Sequence, residues 1–120
     1  MKILVVHATD SNFREELYKP LRESHMNKKH EIHLPQENGR ETITKEFIKS
    51  CDLIIAECSF PSTGQGIELG WADIYNIPIL CLSKNGTLPS RALHYVTDNF
   101  ISYEDSEDMI DQIEMFVKMI

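Results

Sequence analysis

Apolar residues along this chain follow two alternating rhythms. Ile3 to Val6, Leu53 to Ala56 and Ile77 to Leu82 are short, almost uninterrupted apolar runs, the pattern of strands covered on both faces of a parallel sheet. Between them apolar residues recur at helical spacing: Phe13, Leu17 and Leu21; Ile43, Phe47 and Ile48; and Met109, Ile110, Ile113, Phe116, Val117 and Ile120. Asp10-Ser11-Asn12 supplies cap chemistry for the first helix, with Asn12 and Glu15 spaced as a capping box, and Pro20 is expected to kink or end it. A polar loop is expected from Glu23 to Lys29, a short strand from His30 to Leu34, and a helix around Thr42 to Cys51. The clearest strand, Asp52 to Glu57, leads into a loop dense in turn formers, Cys58 to Gly66, and then a helix from about Gly66 to Tyr75. After the strand from Ile77, Asn85-Gly86 marks a turn, Pro89 to Tyr95 a short helix, Phe100 to Tyr103 the last strand, and Asp105 the start of the final helix.

Strands and helices thus alternate five times. Right-handed crossovers make such an order a five-stranded parallel sheet with helices on both faces, a doubly wound α/β fold of the Rossmann-like or flavodoxin-like kind. Residues 1–120 read as a single domain, without linker, repeat or low-complexity tract.

The formal charge of −7 argues against a polynucleotide partner, because backbone phosphates demand clustered cations. No apolar run approaches the length of a membrane span, and the opening run stops at His7, so it reads as a strand rather than a targeting segment. Three cysteines, Cys51, Cys58 and Cys81, form no close pair. They suit a reducing, cytoplasmic setting and read as buried thiols. His30 and His33 would point to opposite faces of a strand, which argues against a shared metal.

Ligands of open α/β sheets bind beyond the carboxyl ends of the strands. Three segments converge there: His7 to Asp10, Glu57 to Gly66, and Ser83-Lys84. Ser62, Gly64 and Gly66 combine a hydroxyl with two glycines ahead of a helix, a plausible cradle for a sugar or phosphate, although the pattern is neither a Walker loop nor the dinucleotide fingerprint. Glu68 is expected in the first helical turn, kept ionised by the helix dipole, and suited either to stabilising the helix start or to attacking an electron-poor sugar carbon. Glu57 can order the loop by accepting N–H bonds or bind substrate hydroxyls. His7 can titrate near neutrality as acid or base, or sit hydrogen-bonded and inert.

The segment Cys51-Asp52-Leu53-Ile54-Ile55-Ala56-Glu57, the Pro61-Ser62 loop, Gly64-Gln65-Gly66-Ile67-Glu68-Leu69-Gly70 and Ala72 together resemble the nucleoside 2-deoxyribosyltransferase superfamily. The nearer likeness is to its short branch, the 2'-deoxynucleoside 5'-phosphate N-hydrolases. The resemblance implies an N-glycosyl hydrolase or transferase acting on a deoxynucleoside or its 5'-monophosphate, with no cofactor or metal and with a homodimeric assembly. It makes Glu68 the nucleophile on the anomeric carbon, puts Ser62 at the ligand's 5' end, and matches Ser90 to a serine that a neighbouring subunit supplies in some members. The chain also departs from the pattern. The loop after the first strand, His7 to Arg14, has no glycine and keeps only Arg14 of the family's basic character, while Asp10 would repel a phosphate. The position of the family's proton-handling aspartate is Thr44, for which Glu46 or His7 are the available substitutes. These departures support an alternative, a catalytically impaired nucleotide-binding or sensory module of the same fold.

Overall fold

The computed structural model describes residues 1–120. Five strands, β1 (Lys2–His7), β2 (Glu31–His33), β3 (Leu53–Glu57), β4 (Ile79–Lys84) and β5 (Phe100–Tyr103), form one sheet in the order β2-β1-β3-β4-β5, every pair parallel. Alternate residues of each strand face opposite ways. Ile3, Val5, Leu53, Ile55, Leu80 and Leu82 pack on one face beneath a π-helical turn (Arg14–Tyr18), α1 (Lys19–Glu23), α2 (Met26–Lys29) and α5 (Ser106–Met119). Leu4, Val6, Ile54, Ala56, Ile79 and Cys81 pack on the other beneath α3 (Lys45–Lys49) and α4 (Thr63–Ile74), with Leu93 of a 3₁₀ turn (Arg91–Tyr95) and Val96 just after it at its margin. The fold is therefore the doubly wound α/β sheet that the rhythm of the sequence predicts.

Five local expectations require correction. The first helix begins at Arg14 as a π turn, its cap position is Phe13, and no side chain caps it. Pro20 lies inside the continuous helical stretch, where its missing N–H disrupts the regular ladder, and the π register passes to α next to it. The loop expected from Glu23 to Lys29 contains a helical turn, α2, whose Met26 is buried; one inward apolar residue is too weak a pattern to read in sequence. α3 spans only Lys45–Lys49, capped by Thr44, whose Oγ1 accepts from Phe47 N at 3.1 Å. α4 starts at Thr63 because Ser62, in extended conformation, caps it by accepting from Gln65 N at 3.3 Å.

The final helix packs its apolar stripe, Met109, Ile113 and Val117, onto its own sheet, leaving Met115, Met119 and Ile120 exposed. All three cysteines are buried and free. No helix is long and apolar enough to cross a membrane.

Candidate active site at the carboxyl edge

Strand order reverses between β1 and β3, so the crevice of this fold opens beyond His7 and Glu57. Gln65 spans that point. It is 5% exposed, and its Nε2 donates to Val6 O at 3.3 Å and to Glu57 O at 2.7 Å, tying the first turns of α4 to the ends of both strands. Sequence reading passed over Gln65 because a polar residue between two glycines looks like loop. Its phase with Leu69 and Ala72, the buried stripe of α4, was the available signal.

Glu68 stands in the second turn of α4 rather than the first, since the helix begins earlier than expected. It is half-buried, and burial alone raises its carboxyl from 4.5 to about 7. The expectation that the dipole keeps it fully ionised at neutral pH is corrected: the dipole fades beyond the first turn, and desolvation outweighs it. Glu68 shares a helical stripe with Trp71 and Tyr75, whose rings lie 5.7 and 5.6 Å from the ammonium groups of Lys45 and Lys49 on α3. By helical phase, position 68 therefore falls on the side of α4 that faces α3. Gly64 lies one turn earlier on the same helical stripe as Glu68. Gly64 and Gly66 are helical residues, not loop residues, and a Cβ at either would meet nothing within 4 Å. At a cost of roughly 1 kcal/mol each relative to alanine, they leave α4 without a side chain at these two positions.

The opposite flank opens onto a cavity of about 390 Å³. Ser62, Gly66 and Ser90 all line it, with Gln65 and Cys58 deep inside and Phe60, Pro61, Leu69, Leu93 and Val96 as apolar wall. Ser90 reaches it within the same chain, from the cap of the 3₁₀ turn, where its Oγ accepts from Ala92 N. Glu68 and Gly64 do not line this cavity.

Phe60 separates it from a second cavity of about 300 Å³, where Glu57 lies with Asp10, Glu16, Ser59, Lys84 and Tyr103. Glu57 is 7% exposed, and both its oxygens are engaged: one accepts from Ser59 N at 2.6 Å, the other from Ser59 Oγ at 3.0 Å and from the Tyr103 hydroxyl. Ser59 Oγ in turn accepts from Lys84 N. Glu57 thus orders the loop after β3 and anchors β5 to it. Burial and this carboxylate push the Tyr103 phenol well above its ordinary range.

His7 is buried beneath Phe13 and Tyr18, stacked on the former at 4.2 Å between ring centroids. Its Nδ1 lies 2.8 Å from Ala8 O and its Nε2 2.6 Å from the Tyr18 hydroxyl, which itself accepts from Gln36 N. A carbonyl only accepts, so Nδ1 carries the proton, and the tyrosine donates to Nε2. Burial lowers the His7 pKa. Both nitrogens of the neutral ring are therefore committed to structure. Thr44, capping α3, holds no titratable proton for catalysis.

This architecture is shared. A solved structure of CMP N-glycosidase from Clostridium botulinum superposes over 95% of this chain and 99% of its own, with a TM-score of 0.69 and 23% identity. A conserved protein of Enterococcus faecalis V583 superposes over 96% and 98%, with a TM-score of 0.65 and 18% identity. In fold, and over one local stretch of sequence, the chain is similar to proteins of the nucleoside 2-deoxyribosyltransferase kind. The 2-desoxiribosyltransferase of Leishmania mexicana carries the same core over 69% of this chain and 65% of that one (TM-score 0.52, 21% identity). In sequence, 48% identity over 40 residues links the chain to a Syntrophotalea carbinolica protein whose provisional name is 2'-deoxynucleoside 5'-phosphate N-hydrolase 1. That match spans 33% of this chain and 28% of the relative. No family model matches the chain.

Proposed function

We propose that the protein cleaves the N-glycosidic bond between a base and deoxyribose, in a deoxynucleoside or its 5'-monophosphate, with Glu68 as nucleophile. One observation carries this reading: a half-buried carboxyl with no stabilising partner stands in the second turn of α4, one turn after Gly64, on the helix that follows the carboxyl end of β3. A carboxylate held in such surroundings is weakly solvated and reactive once ionised. Its oxygen attacks the anomeric carbon as the base departs with the electrons of the glycosidic bond. The resulting glycosyl ester is opened by water in hydrolysis, or by a second base in transfer. Ser62 and Gly66 line the neighbouring cavity with Ser90 and suit the sugar side of the ligand, with Gly64 leaving space for it beside Glu68. No cofactor enters this chemistry. The chain is expected to work in the cytoplasm, in keeping with its three unpaired cysteines, and as a homodimer.

The test is incubation of the purified protein with deoxynucleosides, deoxynucleoside monophosphates and cytidine monophosphate, with and without free acceptor bases. Released or exchanged base is followed by chromatography. Wild-type turnover should rise with pH through about 7 as Glu68 ionises, and Glu68→Gln should lose at least about 10³-fold, as expected for removal of a nucleophile. Turnover by the glutamine variant at the wild-type rate overturns the assignment.

A second reading, a binding module without turnover, is favoured by the capping role of Thr44 and the fully bonded His7. Thermal stabilisation by these ligands with no base released would select it.

A further inference from the structure

Gln65 does more than tether α4. Its two amide hydrogens are given to Val6 O and Glu57 O, and this settles the orientation of the amide. A flipped side chain would set Oε1 against two carbonyl oxygens, with no donor between them. Oε1 accepts no hydrogen bond from the protein, whereas every fully enclosed side-chain polar atom in the molecule has a partner. The oxygen of this 95% buried residue is therefore not fully enclosed, and Gln65 lines the cavity between Phe60, Ser62 and Leu93. No lysine, arginine, aspartate or glutamate lines that cavity.

We infer that this cavity is a pocket for a neutral heterocyclic base, and that Gln65 Oε1 is its specificity-determining acceptor, bonding an amino N–H on the base's edge. An acceptor fixed at the floor of an apolar recess selects ligands by the cost of leaving it unpaired on desolvation. The Phe60 ring and the aliphatic wall of Pro61, Leu69 and Leu93 suit a flat aromatic system. The volume of about 390 Å³ admits a base with room toward the hydroxyl-bearing rim of Ser62 and Ser90. A phosphate carries no donor for Oε1 and finds no cation on these walls. The assignment of this base as the substrate's aglycone rests on the function proposed above; the pocket itself does not.

The experiment uses free cytosine and N4,N4-dimethylcytosine, which differ in the amino hydrogens offered to Oε1. Binding is followed through the Gln65 side-chain amide signals in nitrogen–proton correlation spectra. Cytosine should shift those signals and bind about tenfold or more tightly than the dimethyl analogue, the factor expected for a buried acceptor left without its donor. Leu93→Trp, which fills the recess and leaves Gln65 in place, should abolish the shift. Equal binding of both bases, or a cytosine response unaltered by Leu93→Trp, overturns the pocket. Cytosine binding at Gln65 in a protein that releases no base would keep the pocket and defeat the proposed catalysis. Base release without any response at Gln65 would do the reverse.

Discussion

Replacing Glu68 with glutamine should make the protein more stable, and only where the carboxyl would have been ionised. The folded state raises this carboxyl from 4.5 to about 7, through burial. The unfolded chain releases the proton near 4.5, so the folded state binds more protons between the two values. Stability therefore falls as pH rises through that window, and the full penalty is in force above about 7. At about 1.4 kcal/mol per tenfold change in proton affinity the penalty would approach roughly 3 kcal/mol. Water reaches part of the side chain, and screening reduces the expected figure to ~1–2 kcal/mol. Glutamine keeps the shape and removes the charge. Urea unfolding of wild type and Glu68→Gln should show the variant ahead by ~1–2 kcal/mol at pH 8 and level within ~0.5 kcal/mol at pH 4. In a thermal scan at pH 8 this corresponds to a rise of roughly 3–10 °C. A gap of the same size at both pH values would show that burial of the charge is not its origin. A wild type more stable at pH 8 would show that the carboxylate has a favourable partner. Paired with loss of turnover, the expected result is the signature of a site that sacrifices stability for reactivity.

Two further outcomes follow from the buried polar network. Tyr103→Phe removes a donor from the enclosed Glu57 carboxylate and should lower stability by about 1–3 kcal/mol; a urea midpoint within error of wild type would contradict the anchoring role of this contact. The His7 ring should titrate below 6.5 in proton NMR because burial favours its neutral form. By linkage, its contribution to stability is lost as pH falls through 6.5 toward the folded value, since the unfolded imidazole takes up its proton first. A His7 midpoint at or above 6.5 would mean that the ring is reached by water or held by an anion.

The candidate site segment was partly readable. Glu68, Ser62 and the paired glycines stand out in sequence because a hydroxyl, two glycines and a carboxylate within seven residues at a strand exit form a local chemical pattern. What that pattern could not convey is which of these residues share a space. Ser62 and Gly66 meet Ser90, from a turn more than twenty residues later, in one cavity, while Glu68 and Gly64 lie outside its lining. Helical phase separates them, and that phase depends on Ser62 capping the helix three residues earlier than the apolar pattern implies. Gln65 was missed for the same reason: its importance comes from two carbonyls, at Val6 and Glu57, that only sheet pairing brings together.

The sequence by itself determined the parallel α/β sheet. Runs such as Leu53 to Ala56, apolar at every position, are stable only where helices cover both faces, and the helical stripes between the strands supply that cover. Only the tertiary structure decided the chemistry of individual groups. His7 becomes a committed neutral ring because Phe13, Tyr18 and Ala8 enclose it. Glu68 becomes hard to ionise because water is withdrawn without a compensating donor. The physical reason is common to both: apolar periodicity is a property of neighbours along the chain, whereas proton affinity and hydrogen-bond satisfaction depend on groups that folding alone makes neighbours.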